Sequence, residues 1–291
     1  MGYSRYTKKY IPYLFMAPAL ILLIVFFFVP FFESFYISTL DYSKDIYSPV
    51  FVGAENYITL LKSPIFYKTM WNTIVYLVIA VPLLVIFPLI IAIVINQKLF
   101  AINFYRVSIY LPVVVSIVVA GIAWKWLYAD NGILNYFISL IGLPKIGWLT
   151  DSRYALYSVI AVTVWKGLGY YMMIYLAALT TVPKDLYEAA DIDGANVLQK
   201  HLAVTLPHML PAVALVAIIS SISAMKVFVE IYIMTQGGPL SSSMTIVYYI
   251  YQRAFEHLDL GYASAAGVVL MIIIMIISVF NIKKIEGQSM L

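Results

Sequence analysis

The stretch VPKDLYEAADIDGANVLQKHLAVTLPHMLP, Val182 to Pro211, is the most polar segment between the long apolar runs of this chain. Its first half carries four acids, and its second half carries Lys200 and His201. Connections between packed helices usually take only about 2–8 residues, whereas this one takes about thirty. We therefore predict that the segment forms a docking surface for another protein. The acids are Asp185, Glu188, Asp191 and Asp193.

Turn and cap residues divide the segment into two short predicted helices. Pro183 suits a first helical turn, where its missing N–H costs nothing. Gly194 can take the positive φ that ends a helix, and Asn196 can cap the next one. Pro207 is predicted to close that second helix. The pattern predicts a helix–glycine–helix unit with an acidic face.

These residues resemble the EAA loop of ABC-importer permeases. Glu188-Ala189-Ala190 is followed by Gly194 at the spacing of that loop, and Val204-Thr205-Leu206-Pro207 matches its final I-x-L-P with Val for Ile. The resemblance implies a coupling helix that sits in a cleft of a separate cytoplasmic ATPase. It also implies which residues take part. The coupling candidates are Glu188, Ala189, Ala190, Asp193, Gly194 and Pro207.

Composition places the whole chain in a membrane. Its 291 residues are 63% hydrophobic and 11% charged, with a mean hydropathy of +0.93. No soluble domain has so many hydrophobic residues together with so few charged ones. The sequence has no cysteine, so disulfides and cysteine-ligated metals are excluded. The net charge of +4 is small and indicates orientation in a membrane, with no nucleic-acid partner.

Apolar runs predict an all-α protein with six membrane spans. A signal peptide is the alternative for the first run, but that run is too long for one and no small-residue cleavage site follows it. We predict a cytoplasmic tail at 1–10 and a permease domain at 11–291, with the loop at 182–211 inside it. The predicted spans are 11–32, 72–95, 107–127, 154–179, 212–234 and 263–281.

Basic residues predict the orientation of these spans. Six spans put both termini and the 182–211 loop on one side, where the short connections and tails hold nine lysines and arginines. The opposite loops hold six over more residues. Because cytoplasmic loops carry an excess of Lys and Arg, both termini and the loop are predicted to be cytoplasmic.

The resemblance extends over nearly the whole chain. Five further segments look like the carbohydrate-type permeases, and the Gly-Gly-Pro segment is most similar to the maltose-permease F-type subunit. They are Tyr13–Ala19, Phe51–Tyr57, Trp124–Tyr128, Thr235–Pro239 and Leu260–Ala263. This resemblance implies the MetI-like ABC-importer permease fold and half of a translocation pathway for a sugar, oligosaccharide or glycoside.

The same resemblance implies the partners. They are a second homologous permease, two copies of an ABC ATPase, an extracytoplasmic solute-binding protein and membrane lipid. ATP and Mg would be bound by the ATPase, with no cofactor or metal in this subunit. The location implied is the cytoplasmic, or inner, membrane of a bacterium or archaeon.

Two polar strips are candidates for the sugar pathway. Lys166 lies mid-span, where a charge costs about 2.5–3.5 kcal/mol and should face a cavity or the bundle interior. Its aromatic neighbours could stack on sugar rings, and a strip of small residues follows on the fifth span. The pathway candidates are Trp165, Lys166, Tyr170, Tyr171, Ser220, Ser223, Ala224 and Val227.

Each strip also has a structural interpretation. Lys166 could pair with a partner subunit while the aromatic side chains only pack. The small residues could serve close helix packing. Lys226 and Glu230, one turn apart, could pair with each other, and Lys125 is interpreted as an anchor at the membrane boundary.

Other functions fit the sequence less well. No phosphate-binding loop of the form G-x-x-x-x-G-K-[ST] is present, so the chain is not itself the ATPase, and no Ser/His/Asp set indicates an enzyme. A secondary transporter or channel is the main alternative. The lack of a series of intramembrane carboxylates and of two repeated halves disfavours it. A membrane scaffold would not need an ATPase loop.

Overall fold

A computed structural model describes residues 11–42, 47–97 and 100–289. The predicted tail at 1–10, and with it Arg5, Lys8 and Lys9, lies outside the described residues, as do Lys44 and Lys98. The chain forms two compact units. Among the described residues, the first comprises 11–63 and 250–271, and the second comprises 64–249 and 272–289.

The described part is mainly helical, so the predicted all-α class is confirmed. A two-stranded ladder pairs β1 (Leu40–Asp41) with β2 (Val50–Phe51). The helices in chain order are α1 (Ile11–Leu23), α2 (Val29–Ile37), α3 (Glu55–Lys62), α4 (Pro64–Ile95), α5 (Ile102–Val114), α6 (Ile117–Leu127), α7 (Ile133–Leu140), α8 (Ala155–Leu179), α9 (Lys184–Ile192), α10 (Val197–Lys200), α11 (Leu206–Met225), α12 (Val229–Met234), α13 (Ile246–Tyr251) and α14 (Leu260–Ser289). Three π-helical segments join α1 to α2, α10 to α11, and α13 to the turn before α14.

In the first unit, α1 and α2 form one apolar helix from Ile11 to Ile37. None of the most apolar 18 residues of this described helix is buried within the chain. A helix that is apolar all round is stable in lipid or against another protein. The first span is therefore built to be covered by something other than this chain.

The hairpin of the first unit is held by an asparagine. Asn56, on α3, donates its Nδ2 hydrogens to the carbonyls of Ser38 (2.9 Å) and Leu40 (2.8 Å). The start of α14 also packs against the Leu40 carbonyl. The approach is so close that a Cβ built on Gly261 would lie 1.8 Å from the Leu40 oxygen. Glycine at 261 is therefore required by close approach of two backbones.

In the second unit, α4 is the central helix. Tyr76, Ala80, Leu84 and Ala92 are buried and recur at intervals of four or eight residues, which places them on one face. Helices α8 and α11 pack against α4, and α5 packs against α8. Gly169 allows the last contact, since a Cβ there would lie 2.5 Å from the carbonyl oxygen of Ile109.

The structure contains five continuous helices long and apolar enough to span a membrane within its described part, or six with the bent pair α5–α6. The prediction of an unbroken third span at 107–127 is wrong, because α5 and α6 meet at 98° around Val115 and Ser116. Pro112 removes one backbone donor, and Val115 and Ser116 are extended. The break lies inside a run of valines, so the hydropathy of the sequence gives no sign of it.

The fifth span also differs from the predicted 212–234. The helix begins at Val197, continues through the π-helical segment His201–Thr205, and ends at Met225. Pro207 therefore does not close a loop helix. It is the second residue of α11, directly after the π-helical segment and inside the continuous helix. Residues 226–228 break the helix before α12, and the predicted loop at 128–153 contains α7.

We expect Gly261→Ala to destabilise the fold strongly, because the new methyl group would overlap the Leu40 carbonyl. Overpacking usually costs about 1–3 kcal/mol and more against rigid backbone. Gly267→Ala, on the same helix, is the matched control, since no described atom lies within 4 Å of its built Cβ. Thermal unfolding of the purified proteins in detergent measures both. Equal midpoints for the two variants would contradict the close approach.

Candidate functional site

The 182–211 segment begins with a short helix that a tight glycine turn terminates. Helix α9 runs from Lys184 to Ile192, and Gly194 has a φ of +74°, as predicted. The Gly194 N–H donates to the Asp191 carbonyl (3.1 Å) and the Ala195 N–H to the Ala190 carbonyl (2.9 Å). These two bonds form a Schellman motif, which satisfies the last carbonyls of α9.

The next helix is capped as predicted. The Asn196 side chain accepts from the Gln199 N–H (2.9 Å), and the Gln199 side chain accepts from the Asn196 N–H (2.8 Å). Tyr187 on α9 is hydrogen-bonded through its hydroxyl to Thr205 Oγ1 at 2.7 Å. Because Thr205 belongs to the same continuous helix as α11, this bond fastens α9 to the start of a membrane span.

Helix α9 offers an uncovered surface. None of its residues, all of which the structure describes, is buried. Glu188, Ala189 and Asp193 are exposed, and Ile192 is 87% exposed. Asp191 forms an ion pair with Lys200 across the turn. An exposed helix with acids and an apolar tip has the composition of a protein-docking surface.

A cavity of about 530 Å³ lies among the helices of the second unit, between α4, α8 and the break after α11. This volume is within the range of about 300–1,000 Å³ that encloses small molecules. The lining residues are Tyr76, Ala80, Leu84, Thr163, Lys166, Gly167, Tyr171, Ile222, Ser223, Ala224, Lys226, Val227, Phe228, Val229 and Glu230. We refer to this space as the central cavity.

Five of the eight pathway candidates line the central cavity: Lys166, Tyr171, Ser223, Ala224 and Val227. The other three have different surroundings. Trp165 packs edge-on against Trp124, with ring centroids 5.4 Å apart. Tyr170 is 43% exposed, and buried Ser220 donates its hydroxyl to the Val216 carbonyl at 2.7 Å. A role of these three in the pathway remains a prediction.

Lys166 stabilises the break between α5 and α6. Its Nζ donates to the carbonyls of Pro112 (3.1 Å), Val113 (3.3 Å) and Val115 (2.6 Å). These carbonyls have no helical partner beyond the break, and the C-terminal end of a helix favours a cation. Lys166 therefore has a structural partner within this chain, namely the end of α5.

Lys226 and Glu230 do not form the predicted i, i+4 pair. The helix breaks between them, so the one-turn spacing is lost. The structure records no ion pair for either within the part of the chain it describes, and both line the central cavity. Glu230 could have been found from sequence as a carboxylate near a span. Tyr76 and Thr163 could not, because their hydroxyls meet (2.6 Å) only through packing of α4 on α8.

The described ranges contain no cluster of three or more His, Asp or Glu that could hold a metal ion. His201 and His208 bond instead within their own helix, to Thr205 Oγ1 (3.0 Å) and the Val204 carbonyl (2.8 Å). The arrangement is that of a cavity joined to an exposed helix, α9.

Comparison with known proteins gives a consistent result. Residues 49–286 match the family described as binding-protein-dependent transport system inner membrane component. The chain is 34% identical over 283 residues to the arabinooligosaccharides transport system permease protein of Bacillus subtilis, covering 96% of this chain and 89% of that protein. It is 33% identical over 272 residues to the lactose transport system permease protein of Rhizobium radiobacter, covering 91% of each.

Solved structures agree on the fold. A chain of a bacterial alginate ABC transporter, in complex with an alginate pentasaccharide-bound periplasmic protein, matches with a TM-score of 0.81. The match has 25% sequence identity and covers 94% of this chain and 92% of that one. The architecture is thus shared along nearly the full length of both chains.

We expect Lys166→Met to lower the stability of the protein, because three carbonyls at the break would lose their donor. An unsatisfied buried acceptor costs about 1–3 kcal/mol. Lys226→Met is the matched control, since Lys226 lines the same cavity without bonding to those carbonyls. Thermal unfolding in detergent should show a lower midpoint for Lys166→Met alone. Equal loss in both variants would argue against the structural role.

Proposed function

The chain belongs to the family of binding-protein-dependent transport system inner membrane components, and we propose that it forms half of the translocation pathway of a sugar importer through its central cavity. It is a permease subunit of a carbohydrate ABC importer, and in such importers the ATPase is a separate subunit. One observation carries the proposal. The exposed helix α9 connects α8 directly to the helix that contains α11, and both of these spans line the central cavity.

The cargo is a sugar, oligosaccharide or glycoside. Two relatives are named as transport proteins for arabinooligosaccharides and for lactose. Both of these sugars are neutral and polyhydroxylated. The central cavity offers the hydroxyls of Tyr76, Thr163, Tyr171 and Ser223 beside apolar surface from Leu84 and Val227. Such a mixture suits pyranose and furanose rings, which have polar edges and apolar C–H faces. Trp165, Tyr170 and Ser220 would act outside the cavity, along the route to it.

The coupling role falls on the 182–211 segment. Glu188 is exposed for contact with a basic group of an ATPase, and small Ala189 and Ala190 allow close approach. Asp193 adds charge at the turn, and Gly194 sets its backbone. Pro207, early in α11, belongs to the helix that would transmit the movement. Because Tyr187 is bonded to Thr205, α9 and α11 would move together.

The assembly needs further subunits. We propose a second homologous permease to complete the pathway, two ATPase copies that bind ATP and Mg, and an extracytoplasmic solute-binding protein that delivers the sugar. The uncovered first span, Ile11–Ile37, supports the presence of an additional membrane partner or lipid. ATP-driven closure of the ATPases would move α9 and switch the cavity between inward-open and outward-open arrangements.

The protein is a multi-pass membrane permease, and we propose the cytoplasmic membrane of a bacterium or archaeon as its location. Both termini and the 182–211 segment would face the cytoplasm. Two arguments support this orientation: the excess of basic residues on that side of the predicted spans, and the need of α9 for a cytoplasmic ATPase.

We expect Glu188→Lys to weaken association with the ATPase and to uncouple ATP hydrolysis from uptake. Loss of one partner of a buried charge pair costs about 2–5 kcal/mol at an interface. Glu256→Lys, an equal charge change at an exposed site outside the loop, is the control. Copurification of the ATPase and uptake of radiolabelled oligosaccharide into proteoliposomes are the measurements. Wild-type copurification and uptake for Glu188→Lys would refute the docking role.

We expect replacements of Gly194 to rank by their tolerance of positive φ. Gly194→Asn should retain most uptake, Gly194→Ala should lose part, and Gly194→Val should lose most, since left-handed backbone costs about 1–2 kcal/mol for a side-chain-bearing residue. No described atom lies within 4 Å of a Cβ built there, so the ranking reports backbone strain and not a clash inside the chain. Equal uptake by the Asn and Val variants would show that the turn is not strained.

A further inference from the structure

Three charged side chains line the central cavity: Lys166, Lys226 and Glu230. Lys166 is already occupied, because an ammonium has three N–H donors and this one has three carbonyl acceptors. The C-terminal end of α5 also compensates its charge. Lys166 therefore contributes no free donor to a molecule in the cavity.

Lys226 and Glu230 are the other two charged side chains on the cavity wall. Lys226 is exposed and Glu230 is partly exposed, on either side of the break between α11 and α12. Within the described residues Glu230 is the only carboxylate on the cavity wall, and it lies close enough to Tyr76 and Lys166 to interact electrostatically with both. The break therefore adds one further cation, Lys226, and one carboxylate, Glu230, to the cavity wall.

This pair has a defined preference among saccharides. A carboxylate accepts two or more hydrogen bonds and has no hydrogen to donate, so it matches neighbouring hydroxyls on a sugar ring. An ammonium donates to a ring or hydroxyl oxygen. A saccharide that carries its own carboxylates would bring like charge against Glu230 at short range, where the surrounding apolar wall weakens screening.

We propose that Glu230 and Lys226 make the central cavity selective for neutral saccharides with neighbouring hydroxyls over acidic ones. Glu230 accepts hydrogen bonds from two ring hydroxyls, and Lys226 donates to an oxygen of the same molecule. The inference rests on the proposed function and names the substrate class of that site. Selection at the membrane thereby adds to any selection made by the solute-binding protein.

The test measures sugar binding to the full complex in nanodiscs, arrested with ATP and vanadate and without the binding protein, so that its selectivity does not enter. The neutral probes are arabinotriose, lactose and maltotriose, and the acidic probe is trigalacturonate. Saturation-transfer difference NMR detects weak binding and gives the affinity by titration. The variants are Glu230→Gln, Lys226→Gln and the exposed control Glu256→Gln.

Wild-type complex and Glu256→Gln should prefer at least one neutral probe to trigalacturonate by about tenfold or more, which corresponds to about 1.4 kcal/mol. Glu230→Gln should bind that neutral probe more weakly and trigalacturonate more tightly, so the preference falls about tenfold. Lys226→Gln should weaken neutral binding without admitting the acid. The two variants thus differ in direction, and general misfolding would not produce this pattern.

Three results would overturn the proposal. If wild-type complex binds trigalacturonate as well as the neutral probes, the cavity is not selective for neutral sugars. If Glu230→Gln matches Glu256→Gln while wild type transports sugar, the selectivity lies elsewhere and the proposed function stands. If the complete wild-type complex, supplied with its binding protein and ATP, takes up none of a broad panel of saccharides into proteoliposomes, the proposed function itself fails.

Discussion

The hydrogen bonds from Lys166 to the end of α5 are the interaction on which the membrane part of the second unit depends. A helix that stops within an apolar layer leaves carbonyls that neither lipid nor water can satisfy. Lys166 supplies three donors at that point, and α6 can then leave at 98°. Redirected in this way, α6 packs against α12. Gly121 has no side chain, which leaves room for the side chain of Ile233 at this contact. The break thus positions two short helices beside the cavity without exposing backbone.

Helix α9 is closely connected to the helices that line the cavity. At its C-terminal end, helix α9 is closed by a glycine motif, and the capped turn that starts the continuous helix follows directly, so little backbone freedom remains at that end. The Tyr187–Thr205 bond closes this corner. Since α8 and α11 both pack on α4, α9 is connected to the buried face of α4 through the two helices that flank it in the chain.

Structural features that depend on a few neighbouring residues could be predicted from the sequence. Features that depend on the packing of distant helices could not. The all-α class, the positive φ of Gly194 and the Asn196 cap follow from residue chemistry over a few positions. The bend at Val115 and Ser116 could not be predicted, because its residues are apolar and its stabilising donor is about fifty positions away. The Tyr76–Thr163 contact likewise arises only when α4 and α8 are assembled.

The bare first span has a consequence for biogenesis. In the described structure none of its 18 most apolar residues is buried, although Phe31 and Ser34 line a pocket with residues of α14, and Ser38, just beyond the helix, is hydrogen-bonded to Tyr57. The chain therefore orients the end of this helix and leaves the surface of its most apolar part to lipid or to a partner. Lipid tails are as apolar as these side chains, so lipid gives little preference for covering one face of the helix over another. Assembly with a partner would cover the surface that folding leaves exposed. Until then the helix distinguishes an orphan copy from an assembled one, which gives cellular quality control a feature to recognise.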